Sequence, residues 1–343
     1  MMTRRALLTT IVFLLALAGG LPAKAGAVAD FYRGKTVTII VSSSAGGGYD
    51  TIARAIARFI GKHVPGDPVF VVKNMSGAGG MVATNYLYNT AEKDGTVAGL
   101  VQNNTPFEPL FGTKQARYDP LKFNWLGTPS VETAVVLLWH AVPVNSVDDL
   151  RRRAVNVGVS GANSTPAFFA RLLNATLGTK MKLINGYPGL NDVVLAMERG
   201  EVDGHPSAFY SALSSTRPTW LRDKKAKAIV QYGPAKLPEL GDVPFAPDLV
   251  ANADDKRLMQ AAFAPLALGR PLLLPPGVPR DRVAALRAGL AATFSDPAFL
   301  AEGKRLGLQI NSPRTGEQIQ ALLEDTYKLP PALLDRLRKL NKP

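Results

Sequence analysis

The stretch Thr36–Arg58, TVTIIVSSSAGGGYDTIARAIAR, decides how the rest of the chain is read. Val37–Val41 is a short, nearly continuous run of β-formers, the pattern of a strand covered on both faces. Beyond the turn, Ile52, Ile56, Phe59 and Ile60 recur at helical spacing, while Arg54, Arg58 and Lys62 can face water. Gly61 and Pro65 end that helix. A strand that enters a helix through a Ser/Gly-rich turn aims several backbone N–H groups at one spot, which makes the turn a receptacle for an anion.

The turn is not a nucleotide loop. No Gly-Lys-Ser/Thr follows its glycines, and Gly46-Gly47-Gly48-Tyr49-Asp50-Thr51 lacks the third glycine of the dinucleotide pattern. Its donors are the hydroxyls of Ser42, Ser43 and Ser44 and the N–H groups of Ala45, Gly46, Gly47 and Gly48. These suit a carboxylate or a similar small anion. Asp50 would repel that anion unless it caps the helix, faces away or grips an amino group of the ligand. The alternative for the whole cluster is a tight turn that needs glycine only for positive φ.

The same succession of strand, turn and helix recurs along the chain, and repeated units of this kind build parallel sheets. Val69–Val72 leads through Ser76, Gly77, Ala78, Gly79 and Gly80 into a helix carrying Met81, Val82, Tyr86 and Leu87. Thr96–Val101 leads into Asn103, Asn104 and Thr105, neutral groups able either to add specificity or to form an ordinary loop. A second set begins near Val135, with strands at Val135–Trp139 and Val155–Val159. The loop Gly161, Ala162, Asn163, Ser164 and Thr165 then opens a helix at Pro166, a residue suited to a first helical turn. Lys182–Ile184 precedes Tyr187, Pro188 and Gly189, an aromatic wall with N–H groups. Asp203, at the edge of a further strand with His205, reads as a ligand contact or a hinge cap. Ile229–Tyr232 is a further short strand.

Phe263–Leu268 is apolar and leads to Pro271–Pro279, too rich in proline for a helix. The tail is helical over Arg282–Phe294, Thr315–Tyr327 and Pro331–Leu340, with Thr315 and Gln318 spaced as a capping box. The expected organisation is a leader at 1–29, a first lobe at 30–131, a second lobe at 132–269, and a return to the first lobe at 270–343. Two α/β lobes so connected place the turns of both on a shared cleft, outside the carboxyl ends of the strands.

Composition narrows the chemistry. Met1–Ala29 has a basic start at Arg4 and Arg5, an apolar run from Ala6 to Ala18, and two Ala-x-Ala sites. That is the layout of a secretory signal peptide cleaved after Ala25 or Ala29, and it predicts a periplasmic protein. The 343 residues contain no cysteine, which excludes disulfides, thiolate chemistry and a lipid anchor on cysteine. Removing the leader takes away three bases and no acid, leaving 37 basic residues against 27 acidic ones. Export and the lack of a basic stripe interleaved with aromatics argue against nucleic acid, so small anions are the favoured partners. No cofactor is expected.

Catalysis finds little support. The three histidines, His63, His140 and His205, have no metal-ligand spacing, and no Gly-x-Ser-x-Gly elbow occurs. A secreted hydrolase remains a minor alternative.

Taken together, Gly34-Lys35-x-Val37-Thr38-Ile39-Ile40-Val41, Ala45-Gly46-Gly47-Gly48-Tyr49-Asp50, Asn74-Met75-Ser76-Gly77-Ala78-Gly79-Gly80, Tyr187-Pro188-Gly189, Gly200-Glu201-Val202-Asp203 and Leu274-Pro275-Pro276-Gly277-Val278-Pro279 resemble the tripartite tricarboxylate transporter substrate-binding proteins, the TctC or Bug-type periplasmic receptors. The resemblance covers essentially the whole mature chain. It implies a two-lobed class II periplasmic-binding-protein fold, each lobe a mostly parallel sheet flanked by helices. It also implies a monomer that closes on an organic acid and presents it to integral membrane transporter subunits, without catalysis. In such receptors the first strand–helix turn and the turns at Ser76–Gly80 and Ser160–Thr165 supply much of the carboxylate binding. An exported sensory module of the same fold is the alternative. The sequence departs from the family pattern at Ser42-Ser43-Ser44, Asn163-Ser164-Thr165-Pro166, Leu190-Asn191-Asp192 and Asp203-Gly204-His205-Pro206, all on the proposed cleft.

Overall fold

The computed structural model describes residues 22–342 except 44, 47, 163, 188 and 189. The leader reading therefore falls mostly outside the described residues. Helix α1 (Pro22–Tyr32) precedes β1 (Thr36–Val41), α2 (Gly48–Ile60), β2 (Val69–Asn74), α3 (Met81–Asn89) and β3 (Val97–Leu100). Short helical turns then lead to β4 (Asn124–Thr128). The second set is β5 (Ala134–Trp139), α4 (Val147–Arg152), β6 (Val155–Val159), α5 (Thr165–Leu177), β7 (Met181–Asn185), α6 (Leu190–Glu198), β8 (Gly204–Phe209), α7 (Tyr210–Thr216) and β9 (Ala226–Tyr232). Helix α8 (Ala253–Leu268) is followed by β10 (Leu272–Leu274), α9 (Arg280–Ser295), α10 (Pro297–Arg305), β11 (Arg314–Thr315), α11 (Gly316–Tyr327) and α12 (Pro331–Asn341).

The strands form two sheets of matching topology. One has the order β11-β4-β10-β3-β1-β2 and the other β7-β6-β8-β5-β9. In the first lobe β1 pairs in parallel with β2 and β3, and β10 inserts antiparallel between β3 and β4. In the second lobe β6 pairs in parallel with β7 and β8, and β5 inserts antiparallel between β8 and β9. Each inserted strand is the one that has just arrived from the other lobe. By this equivalence, the turns after β1 and β2 correspond to those after β6 and β7. All of them leave carboxyl ends of parallel strands, where ligands of open α/β sheets bind.

Burial follows the sequence pattern. Val37, Ile39 and Val41 of β1 pack with Ile52, Ile56 and Ile60 of α2, the apolar stripe read at helical spacing. Helix α1 joins this core through Val28 and Tyr32, and the Tyr32 hydroxyl donates to Gly95 O at 3.2 Å. In the second lobe, Phe169, Tyr232 and Phe263 form an aromatic cluster, with Tyr232 and Phe263 stacked at 4.7 Å between ring centroids. The Thr315–Gln318 capping box is present at the start of α11.

Phe263–Leu268, read from the sequence only as apolar, is the last part of a 16-residue helix, and Pro265 lies within it. Burial of nearly every residue from Leu258 to Leu268 compensates for the hydrogen bond that Pro265 removes, and it also erases the amphipathic signal. The C-terminal segment does not stay with the first lobe throughout. Ile319 and Leu323 of α11 pack there, but Leu333 and Leu337 of α12 pack into the core of the second lobe.

Phe263 is the centre of the second-lobe cluster and is 2% exposed. Phe263→Ala is expected to lower stability by about 3–5 kcal/mol, since it removes buried area and leaves a cavity. Denaturant titration of the two proteins measures the difference.

Candidate functional site

The turn after β1 is held together from within. The Asp50 carboxylate is buried; its Oδ2 accepts from Gly46 N and from Arg54 Nε, each at 2.9 Å, and its Oδ1 accepts from Asn74 Nδ2 at 2.9 Å. The Arg54 hydrogen bond, outweighing burial, holds the Asp50 carboxyl down at about 2. Asp50 stands in the first turn of α2, so the protein's own carboxylate complements that helix start. Gly46 N–H, one of the donors proposed for ligand, is committed to it. Asn74 Nδ2 also reaches Ser43 O at 3.0 Å.

Ser42 is likewise committed: its N–H donates to Leu100 O at 3.1 Å and its Oγ accepts from Gln102 N at 2.8 Å. Ser43 Oγ is enclosed and has no hydrogen-bond partner among the described residues. Ala45, Gly46 and Gly48 are exposed. Ser44 and Gly47 lie outside the described residues.

The turn after β2 is the open one. Gly77, Ala78, Gly79 and Gly80 have φ of +137°, +46°, +64° and +95°. Ser76 to Gly79 are exposed, and no side chain caps the start of α3. Gly80 is buried, and a Cβ there would stand 2.8 Å from Gln102 Cγ and 3.2 Å from Ser42 Oγ. This close approach joins the turns after β1, β2 and β3 into one rim.

Asn103 and Asn104 leave the end of β3. Asn103 N donates to Tyr49 Oη at 3.2 Å, and Asn104 Nδ2 donates to Glu108 Oε1 at 3.0 Å. Thr105 is fully buried and structural: its hydroxyl donates to Gln102 O at 2.8 Å, and its own carbonyl accepts from Tyr118 Oη at 2.7 Å.

Across the cleft, Ser164 caps α5 by accepting from Ala167 N at 3.4 Å, while its hydroxyl donates to Gly161 O at 2.7 Å. Ala162 O accepts from Arg171 Nη1 at 2.7 Å, and Arg171 Nε also pins Leu340 O at 2.6 Å. Tyr187 N–H donates to Val159 O at 3.3 Å, and its ring packs over Gly158. Asn163, Pro188 and Gly189 lie outside the described residues. Asp203 stands apart from the cleft: its carboxylate accepts from Asn156 N at 2.6 Å, at the start of β6 and so at the opposite end of the sheet.

Between the lobes lies a cavity of about 640 Å³. Tyr49, Gln102, Asn103, Asn104, Glu108, Phe111 and Thr113 line it from the first lobe. Thr165, Pro166, Phe168, Phe169, His205, Ser207 and Phe209 face them from the second. Of the sequence candidates, the structure thus brings Asn103, Asn104 and Thr165 to this wall, with the open turn after β2 outside it.

The most informative wall residues were not among those candidates. His205, Ser207 and Phe209 of β8 all reach the cavity, and the pairing of β8 with β5 shifts register between Ala208 and His205. His205 is buried, and desolvation pulls its pKa down to about 4, so the ring is neutral at pH 7. Its Nδ1 accepts from Ser207 N at 3.0 Å, which places the ring proton on Nε2. Ser207 Oγ is enclosed without a partner at hydrogen-bonding geometry, and the neighbouring Tyr232 hydroxyl donates to Pro206 O at 2.7 Å. Nothing in the local sequence marks these residues for a ligand: Gly204–Phe209 is buried along nearly its whole length without alternation, and Glu108 and Phe111 sit among short helical turns.

The segments joining the lobes are also built from residues the sequence left unmarked. Glu132 N donates to Leu266 O at 2.8 Å, and Ser211 Oγ donates to Glu132 Oε2 at 2.7 Å. Arg270 Nη1 stands 3.6 Å from Glu132 Oε1, and the Arg270 guanidinium lies 5.7 Å from the centre of the Tyr49 ring. Burial raises the Glu132 carboxyl, against the pull of Arg270 and of the Ser211 hydrogen bond. Burial also pushes the Tyr49 phenol up to about 12, so it remains a donor, to Gly269 O at 3.2 Å. Among the described residues no group of three or more His, Cys, Asp or Glu is placed to hold a metal ion, and no helix is long and apolar enough to cross a membrane.

A scan against protein-family models finds no match. A curated relative, the UPF0065 protein in the TAR-I ttuE-ttuC′ intergenic region of Agrobacterium vitis, is 29% identical over 190 residues. The match spans about half of each chain, 51% of this one and 51% of that one. Among solved structures, a TctC solute-binding protein from Polaromonas aligns with a TM-score of 0.69 at 18% identity, over 90% of this chain and 98% of that one. The periplasmic binding protein BugD aligns at 0.61 and 20% identity, over 90% and 98%. MatC from Rhodopseudomonas palustris with bound malate aligns at 0.61 and 21% identity, over 90% and 99%. The chain therefore has the two-lobed α/β fold of these periplasmic binding proteins, with class II architecture.

The folded Asp50 carboxyl lies below its ordinary value of 3.8, so its stabilising contribution is complete above about pH 4 and is lost as pH falls through about 2. Asp50→Asn is expected to lower stability at pH 7 by about 1–3 kcal/mol and to flatten the acid limb of the stability profile. Denaturant unfolding from pH 5 to pH 2 reads both effects.

Proposed function

We propose that the protein is an exported receptor that captures a small organic acid by closure of its lobes. It delivers that acid to the integral membrane subunits of a tripartite tricarboxylate-type transporter. The observation that carries this reading is the 640 Å³ cavity enclosed between two lobes of matching topology, in a fold shared with a malate-bound protein. A solute that touches Asn103 and Asn104 on one wall and Thr165, His205 and Ser207 on the other stabilises the closed state over the open one, and a transporter can read that state as loaded. In this reading the turns at Ser42–Asp50, Ser76–Gly80, Gly161–Thr165 and Tyr187–Gly189 form the rim that closes, no bond is broken, no cofactor is used, and the receptor works as a monomer. The fit of di-, tri- and substituted monocarboxylates rests on neutral donors around the cavity.

Linkage gives the test. A ligand present at a hundred times its Kd stabilises the folded state by about 2.7 kcal/mol, a readily measured rise in Tm. A melting screen of organic acids is expected to return at least one such rise. A flat screen, together with a co-purified ligand of another class, would overturn the reading.

The leader reading sharpens within the same proposal. Val28 and Tyr32 of α1 are buried in the first-lobe core, and Arg33 N–H donates to Ala29 O at 2.9 Å. Cleavage after Ala29 would discard Val28, whereas cleavage after Ala25 keeps it. N-terminal sequencing of the exported protein is expected to begin at Gly26; a start at Asp30 would contradict the assignment.

A further inference from the structure

The cavity wall has an unusual charge balance for a site that takes polyanions. Glu108 is the one residue of definite charge among the described residues that line it, and the wall includes neither lysine nor arginine. Its carboxylate is held in place, Oε1 accepting from Asn104 Nδ2 at 3.0 Å and Oε2 accepting from Thr113 Oγ1 at 2.6 Å. Such tethering leaves lone pairs for a donor on the ligand and keeps the negative charge at the wall.

The remaining wall supplies apolar faces and neutral donors. Phe111 of the first lobe meets Phe168 of the second edge-to-face, with 5.9 Å between centroids, and Phe209 adds a third ring from β8. Across the cleft from Glu108, His205 and Ser207 are each 5% exposed; His205 offers a neutral Nε2–H, and the Ser207 hydroxyl lies enclosed beside the Tyr232 hydroxyl.

Resting on the receptor reading above, we infer that the site selects an aromatic acid with a single carboxylate and a hydrogen-bond donor at its far end. The carboxylate is read by His205 and Ser207, the ring lies among Phe111, Phe168 and Phe209, and the distal donor faces Glu108. A second carboxylate would meet Glu108 inside a low-dielectric cleft whose described lining residues include no lysine or arginine to offset the repulsion. A distal hydroxyl instead gains a charge-assisted hydrogen bond.

Calorimetric titration of the exported protein with para-hydroxybenzoate, benzoate, malate and citrate tests this. The wild type is expected to bind para-hydroxybenzoate about tenfold more tightly than benzoate, and both more tightly than malate or citrate. Glu108→Gln keeps the side-chain shape and is expected to narrow the gap to malate by about tenfold, with the unliganded Tm as the check on folding. Ser207→Ala is expected to weaken both aromatic acids while leaving the ratio between them unchanged. Malate or citrate binding the wild type as tightly as the aromatic acids, or a malate gap unaltered in Glu108→Gln, overturns the inference and leaves the receptor reading standing. Binding of no acid from either class overturns the inference, and a co-purified ligand of another class overturns the receptor reading as well.

Discussion

The arrangement depends on a close backbone crossing where the chain passes between its lobes. A Cβ at Gly269 would stand 2.0 Å from Ser130 O, and the residue has φ +53°, so the segments 129–133 and 269–271 meet only because glycine is there. Around this crossing Arg270 N donates to Thr128 Oγ1 at 3.1 Å and Tyr49 Oη donates to Gly269 O. Glu132 and Arg270 are mostly buried, and such a pair is weak evidence for stability by itself. Their value is positional: they fix where β5 and β10 enter the opposite sheets. With the lobes joined along this edge, the carboxyl ends of both parallel strand sets face each other, and the cavity forms between them.

The first turn shows how an anion-binding motif can be filled from within. Its N–H groups and the start of α2 favour negative charge, and Asp50 supplies it. The position is stabilised by Arg54 and Asn74, so Asp50 is tied to its neighbours without any ligand. The exposed turn after β2 and the neutral residues of β8 remain less committed. In the proposed receptor, neutral donors suit release as well as capture, because a buried cation would bind an acid harder than a reversible cycle requires.

Much of the fold was legible because local pattern and tertiary burial agree. The β1–α2 unit, the strands β6 and β7, and the capped start of α11 follow from apolar periodicity and turn chemistry within a few residues of sequence. Helix α8 was hidden by the same burial that stabilises it, since a helix apolar around most of its surface has no moment to detect. Strand β4, as long as β6 and β7, was hidden because Asn124-Trp125-Leu126-Gly127-Thr128 has neither a run of β-branched residues nor a strict alternation. Helix α12 was visible as a helix, but its docking on the second lobe through Leu333 and Leu337 depends on a surface far away in sequence.

The candidate site divides along the same line. By itself the sequence determined which turns carry glycine and hydroxyl donors, that the chain repeats a strand–turn–helix unit, and that thiol chemistry is absent. These are local facts, fixed by residue identity and spacing. Only the tertiary structure decided which donors remain available, because the Gly46 N–H donates to Asp50, the Ser42 N–H to Leu100 O and the Ser164 hydroxyl to Gly161 O. It also decided that Glu108, Phe111, His205 and Ser207, separated by up to about a hundred residues, line one cavity. Their meeting is set by strand order and by the crossing at Gly269, and neither is encoded in any single window of the chain.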